Sequence, residues 1–355
     1  MFRHSPACWL YPWTPDVART AVVLMNLGGP DRPEAVQPFL FNLFSDPAIL
    51  RLPTLVRLPL ARIIAWRRSR VAQEIYRKLG GGSPLLANTE AQARALEALL
   101  GPQHRCFVAM RYWHPTSDET AREVADWAAE QIVCLPLYPQ FSTTTTASSF
   151  TAWRAAMAHH GITCTMRVVC CYARDAGFVE AVAGMIKPAL DMAAADHEKP
   201  PRLLLTAHGL PKKIAQAGEP YPNQVEDTAA AVIAALNRPG LDWIVCYQSR
   251  VGPLEWIGPA TDDEIRRAGK DGVPLVVAPI SFVSEHSETL VELDIDYRDL
   301  AAASGVPAYH RVPTVGTAPG FIRSLAALIR RACLEDRVEG CASGATRCGL
   351  SGAGV

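Results

Sequence analysis

The chain has no excess of charge of either sign. Its 355 residues carry 35 Lys and Arg against 35 Asp and Glu, so no global field is available to hold a nucleic acid. No apolar stretch reaches the roughly 18–20 residues that a membrane-crossing helix needs. The opening "MFRHSPACWLYPWTP" lacks a continuous apolar core and a small-residue cleavage site, so no secretory signal is expected. Also missing are H-E-x-x-H, G-x-x-x-x-G-K-[ST], G-x-S-x-G and any C-x-x-C pair, which excludes the common zinc-protease, phosphate-loop, serine-hydrolase and closed zinc designs. A cytoplasmic chain follows as the expectation, one whose ten cysteines are not structural disulfides. Its chemistry must be local.

What is present is ordered and repetitive. Apolar residues make up 49% and charged residues 20%, the balance of a globular protein long enough for two domains. Three strand-to-loop passages recur in the same order in each half. "AVVLMNLGGP" (21–30) pairs with "RLLLTAHGLP" (202–211), and "CFVAMRYWHP" (106–115) with "WIVCYQSRVGP" (243–253). "QIVCLPLYPQFSTTTTASS" (131–149) pairs with "PLVVAPISFVSEHSETL" (274–290). Helical stretches such as "TEAQARALEALL" separate them. Buried strands alternating with helices predict an α/β fold of two similar Rossmann-like halves with parallel sheets, facing each other across a cleft.

Ligands of such folds bind beyond the carboxyl ends of the strands. The six passages place Asn26, Arg111, Tyr112, Ser142, His208, Gln248 and Ser249 there, with the run from Glu285 to Glu288. No G-x-G-x-x-G follows a strand, so the site is not a dinucleotide site. "LGGGSP" (79–84) reads as a helix cap and tight loop that could admit a ligand to the backbone.

Two features carry chemistry. "SFVSEHSETLVELDIDY" (281–297) reads as a helix with Ser284 near its N-cap, which sets Glu285, Glu288, Glu292 and Asp296 in one acidic stripe. Acids in a first turn meet the helix dipole favourably, and a solvated face is the ordinary reason for such a run. A stripe at the cleft mouth beside His286 also suits a hydrated divalent cation passed inward. His208 ends an apolar strand beside Gly209, where an imidazole can take a proton or a metal. A third feature, "LRLPTLVRLPLARIIAWRRSR" (50–70), mixes apolar residues with six arginines. It suits a membrane headgroup layer as well as an ordinary packed helix.

Together these motifs resemble the ferrochelatase family, which inserts ferrous iron into protoporphyrin IX to make haem with release of two protons. The matching stretches are "VVLMNLGGPD", "YRKLGGGSPL", "MRYWHP", "LPLYPQFSTTTTASS", "TAHGLP" with "GEPYP", "YQSRVGPLEWIGPATDDEI" and "SFVSEHSETLVELDIDY", in order from residue 22 to about 297. The resemblance implies parallel four-stranded sheets, with the porphyrin and Fe²⁺ as substrates between them. His208 then matches the essential histidine, and Glu288 a glutamate on the opposite side of the macrocycle, both at the substrate metal. Glu285 and Glu292 match acidic positions for metal or proton transit. Asn26, Leu27, Arg111, Tyr112, Ser142 and Trp256 match positions lining the porphyrin pocket, with packing or loop structure as the plainer account.

The halves are expected at 19–165 and 166–332, flanked by an N-terminal extension (1–18) and a cysteine tail (333–355). Some ferrochelatases carry a 2Fe–2S cluster on tail cysteines plus one from the body. Here that implies Cys333, Cys341 and Cys348, with Cys170 or Cys171 as the fourth ligand. Thr143 stands where the animal enzymes place the body cysteine. A peripheral site on the inner membrane and a homodimer are compatible with the resemblance. The alternatives are a chelatase of coproporphyrin III or another tetrapyrrole, and a non-catalytic haem or metal binder on the same scaffold.

Overall fold

A computed structural model describes residues 18–334 except 196, 251 and 253. The N-terminal extension up to residue 17, and with it most of that expected segment, lies outside the described residues.

The chain runs β1 (Thr20–Asn26), α1 (Val36–Ser45), α2 (Thr54–Arg77), α3 (Leu85–Leu100), β2 (His104–Met110), α4 (Ser117–Asp126) and β3 (Gln131–Pro136). A short π-helical turn (Thr143–Ala147) leads into α5 (Ser148–His159), then β4 (Thr165–Val168) and α6 (Ala176–Ala195). The second half repeats the plan with β5 (Arg202–His208), α7 (Lys212–Gln216), α8 (Tyr221–Leu236), β6 (Asp242–Gln248), α9 (Thr261–Asp271) and β7 (Leu275–Pro279). A nine-residue π-helix (Glu288–Asp296), α10 (Tyr297–Ala303), β8 (Tyr309–Arg311) and α11 (Pro319–Leu334) complete it.

Two four-stranded sheets form, ordered β2-β1-β3-β4 and β6-β5-β7-β8, with every pair parallel. The identical order is the structural form of the sequence repeat. β1 and β7 are buried throughout, as strands covered by helices on both faces must be. Alternation decides which face each side chain serves. Val22 and Leu24 pack with α6 and α11, while Ala21, Val23 and Met25 pack with Trp153 of α5.

The boundary between the halves differs from expectation in two ways. β4 pairs with β3, so the first sheet runs to Val168 and the expected break at 165/166 falls inside a strand. One core also joins both sheets: Val22 and Leu135 of the first share it with Leu203 and Val276 of the second, through α6, α8 and α11. Helix α11 returns to pack on α3, spanning both halves. Among the described residues no helix is long and apolar enough to cross a membrane.

The glycine loop at 79–84 serves packing. A Cβ on Gly29 would sit 2.6 Å from Ser83, and one on Gly82 would sit 2.6 Å from the Asp31 carbonyl oxygen. The glycines let this loop and the "LGGP" loop after β1 touch backbone to backbone; the close approach expected of a ligand is made by Asp31.

Candidate active site

In each sheet the strand order reverses between the first and third strands, and the crevice beyond that point is where such folds bind ligands. His208 is the last residue of β5, and Glu288 opens the helix that follows β7. The switch point of the second sheet therefore brings them together. His208 Nε2 lies 3.3 Å from Glu288 Oε1. The ring is fixed from behind, since Nδ1–H donates to the Gly209 carbonyl at 2.6 Å, which aims Nε2 at the carboxylate. The other carboxylate oxygen, Oε2, meets His286 Nε2 at 3.3 Å, and His286 Nδ1–H donates to the Ser284 carbonyl at 3.0 Å.

The electrostatics follow from this contact. Burial favours the neutral imidazole of His208, but the adjoining charge and hydrogen bond of Glu288 outweigh it and push the pKa up to about 9. Burial likewise favours protonated Glu288, but His208 and His286 hold its carboxyl well below the usual range. The pair stays partly open to the crevice, with side-chain exposures of 41% and 31%.

Glu292 lies one helical turn on. It accepts from Ser249 N–H at 2.8 Å, Ser249 Oγ at 2.5 Å, Gln248 Nε2 at 3.0 Å and Tyr297 Oη at 3.1 Å. Ser249 reaches it from a left-handed backbone, φ +60°, uncommon for a residue with a Cβ, which turns its N–H and hydroxyl toward one carboxylate. Burial and the nearby charge of Glu288 nevertheless raise the Glu292 pKa.

The acidic stretch departs from the expected helix. Residues 284–286 are irregular, Ser287 already has helical backbone, and the π-helix begins at Glu288. Ser284 does not cap it: its hydroxyl donates to Gln92 Oε1, and Gln92 in turn donates to the carbonyls of Val283 and Gly316. Asn88 donates to the Glu285 carbonyl at 2.9 Å. Helix α3 thus fastens this segment from the other half. Freed from the helix, Glu285 turns away to bind Arg311 and the Thr314 N–H, so it does not join the stripe. Arg311 also pairs with Asp294, and Asp296 pairs with Lys78 at the end of α2. Tyr76, two residues before Lys78, lies beside Ser287, the neighbour of Glu288.

The spacing of His208 and Glu288 also differs from expectation. His208 and Glu288 were expected on opposite faces of a macrocycle. A planar ring between them would need roughly 7 Å, twice a contact of about 3.5 Å, and they stand in contact.

The six expected pocket residues separate into groups. Asn26 ends β1 and is buried, bonded to Thr89 and to the Leu27 N–H. Leu27 packs with Tyr112 and Trp113 in the cluster formed with α1. Tyr112 is only 1% exposed and gives its hydroxyl to Asp46, so it faces the core and not an open pocket. Arg111, partly exposed, binds Asp46 at 2.7 Å and Ser148 at 2.6 Å. Ser142 caps the π-turn through Thr144, the loop role that its position also allowed. Trp256 lies beside Gly209, where a Cβ would meet its ring at 3.2 Å, and its Nε1 is enclosed without a partner.

Of the expected cluster ligands, Cys341 and Cys348 lie outside the described residues. Cys333 is half-buried near Arg167, at the edge of the core shared by both halves. Cys170 and Cys171 are 1% and 0% exposed and pack with Phe141 in a separate cluster.

The sequence reading missed His286 as the second grip on Glu288 and Tyr297 as a donor to Glu292. Adjacency to the acids was the available signal for both.

The chain is similar to known proteins over most of its length. The family model for ferrochelatase matches residues 19–333. A ferrochelatase of Caulobacter vibrioides is 56% identical over 317 residues, 88% of this chain and 90% of its own. One of Phenylobacterium zucineum is 56% identical over 313 residues, 87% and 90% of the two chains. Among solved structures, SirB from Bacillus subtilis with Fe³⁺ superposes with a TM-score of 0.56 at 13% identity, covering 88% of this chain and 95% of that one, a likeness of fold.

Proposed function

This chain belongs to the ferrochelatase family, the metal chelatases of the terminal step of haem biosynthesis, and on that premise we propose that it takes protoporphyrin IX and works through His208 and Glu288. The observation that carries the assignment is the 3.3 Å contact between His208 Nε2 and Glu288 Oε1, held from behind by Gly209 and His286. The two address the macrocycle from one face.

Charge bookkeeping gives the order of events. Near neutral pH the pair holds one proton, as imidazolium beside carboxylate. Fe²⁺ arriving at the Glu288 carboxylate cancels the charge that keeps this proton on Nε2. The proton leaves, and the bared Nε2 lone pair accepts one from a pyrrole nitrogen. Nε2 passes that proton by way of Glu292 to solvent and then accepts the second pyrrole proton, so two protons leave for each dication inserted and charge balances. Glu292, whose pKa is raised, is the next group able to hold a proton, and Asp296 beyond it is exposed. Glu285, tied to Arg311, shapes the crevice mouth in this account. Trp256 beside Gly209 walls the crevice.

The outer face of α2 exposes Leu55, Val56, Ile63 and Trp66 among arginines, which supports a peripheral place on an anionic membrane. No step of the reaction is routed through an iron–sulfur cluster. Iron and acid-labile sulfide in anaerobically purified full-length protein test for one, and their absence removes it.

The substrate assignment is tested by following the absorption of protoporphyrin IX and coproporphyrin III with Fe²⁺ and protein. Faster metallation of protoporphyrin supports it; faster metallation of coproporphyrin moves the chain to the sister activity.

A further inference from the structure

Away from the crevice, on the flank of the first half, three side chains converge with no part in the chemistry above. Asp118 lies in the first turn of α4, and His159 and His160 end α5, which packs against α4. His159 Nδ1 lies 2.7 Å and His160 Nε2 3.1 Å from the same oxygen, Asp118 Oδ1. The two rings are 4.7 Å apart at their centroids. Among the described residues this is the group whose His and carboxylate ligand atoms all lie within 4.8 Å of one another.

We propose that Asp118, His159 and His160 form a surface site for one borderline divalent cation such as Zn²⁺, Ni²⁺ or Co²⁺. Two imidazole nitrogens and one carboxylate oxygen make a donor set for such ions, with the remaining positions left to water. A single oxygen donor is too few for Ca²⁺ or Mg²⁺ to prefer it, and no thiolate is present to select Cu(I). Both nitrogens now point at the carboxylate oxygen. A cation there would take the place of the protons in these two hydrogen bonds, each ring keeping a proton on its other nitrogen.

The platform is firm. The start of α4 is locked by a capping box, Thr116 Oγ1 accepting from the Glu119 N–H while the Glu119 carboxylate accepts from the Thr116 N–H. This places Asp118 independently of the histidines. Glu119 is engaged by that box and by His114, which sets it apart from the three ligands. The histidines stand at the carbonyl end of α5, where the helix dipole favours a positive charge.

Isothermal titration of Ni²⁺ into metal-free full-length protein tests the site, in a His208→Ala/Glu288→Gln background that removes the substrate ion's ligands. Adding Asp118→Asn, His159→Asn and His160→Asn should lower the stoichiometry by one. Unchanged stoichiometry and affinity would overturn the proposal. A second measurement needs no variant: Ni²⁺ should protect His159 and His160 of the wild-type protein from acylation by diethyl pyrocarbonate, read by peptide mass. Equal acylation with and without Ni²⁺ would also overturn it.

Discussion

His208 Nε2 and Glu288 Oε1 stand 3.3 Å apart, one at the end of β5 and the other at the first residue of the helix after β7. Each sets the other's charge, so the pair enters the crevice as a proton already placed beside a carboxylate.

Stability should track the pair's protonation. The His208 pKa is raised, so its contribution is fully present below the usual value of 6.5 and is lost as pH climbs through about 9. The Glu288 pKa is lowered, so its contribution is present above the usual 4.5 and is lost in acid. The gap in urea midpoint between wild type and His208→Gln should therefore be wider at pH 6 than at pH 9.5. A gap that grows with pH contradicts the assignment of charge.

Glu292 is read as the proton holder behind Glu288. Glu292→Gln keeps its shape, with Oε1 still accepting from the Ser249 N–H and the Tyr297 hydroxyl and the new amide able to donate to Ser249 Oγ, so the variant should stay folded with an unfolding midpoint no more than modestly lowered. Turnover should fall by about 10²-fold, the low end for a positioned proton-transfer group, with the porphyrin KM unchanged. Unaltered turnover removes Glu292 from the route.

Gly209 has no room for a side chain. A Cβ there would lie 2.8 Å from the Gln248 carbonyl oxygen and 3.2 Å from Trp256. Gly209→Ala should cost about 1–3 kcal/mol in urea unfolding, the scale of overpacking a filled site. It should also lower activity by displacing His208 and Gln248. Gly184, inside α6 with nothing within 4 Å, is the control: Gly184→Ala should stabilise by about 1 kcal/mol. Two equal effects of the same sign would show that crowding is not the cause.

The exposed apolar residues of α2 should matter only at a surface. Leu55→Glu with Trp66→Glu should weaken sedimentation with anionic phospholipid vesicles and leave metallation in detergent unchanged. Equal binding of the variant places the contact elsewhere.

Much of the fold was legible because it depends on periodicity. Strand pairs such as "AVVLMNLGGP" and "RLLLTAHGLP" repeat, and the structure gives them the same place in two sheets of the same order. The places of His208 at the end of β5 and of Glu288 just after β7 were legible through the repeat. Their mutual contact was not, because it depends on where the chain between β7 and Glu288 turns, and that segment is pinned by Asn88 and Gln92 nearly two hundred residues earlier. Glu285 was misplaced for a related reason. Its partner Arg311 sits on the edge strand β8, and no local pattern links the two. Tyr112 failed differently: its aromatic ring suits a pocket wall or a core equally, and Asp46 decides the matter.

The central claim is that His208 and Glu288 together insert the ion. It is tested most directly by the initial rate of protoporphyrin IX metallation with Fe²⁺, followed by absorption, for wild type, His208→Ala and Glu288→Gln. The account predicts that each variant loses about 10²–10⁴-fold while keeping its far-ultraviolet circular dichroism. A folded variant of either residue that metallates at close to the wild-type rate would contradict it.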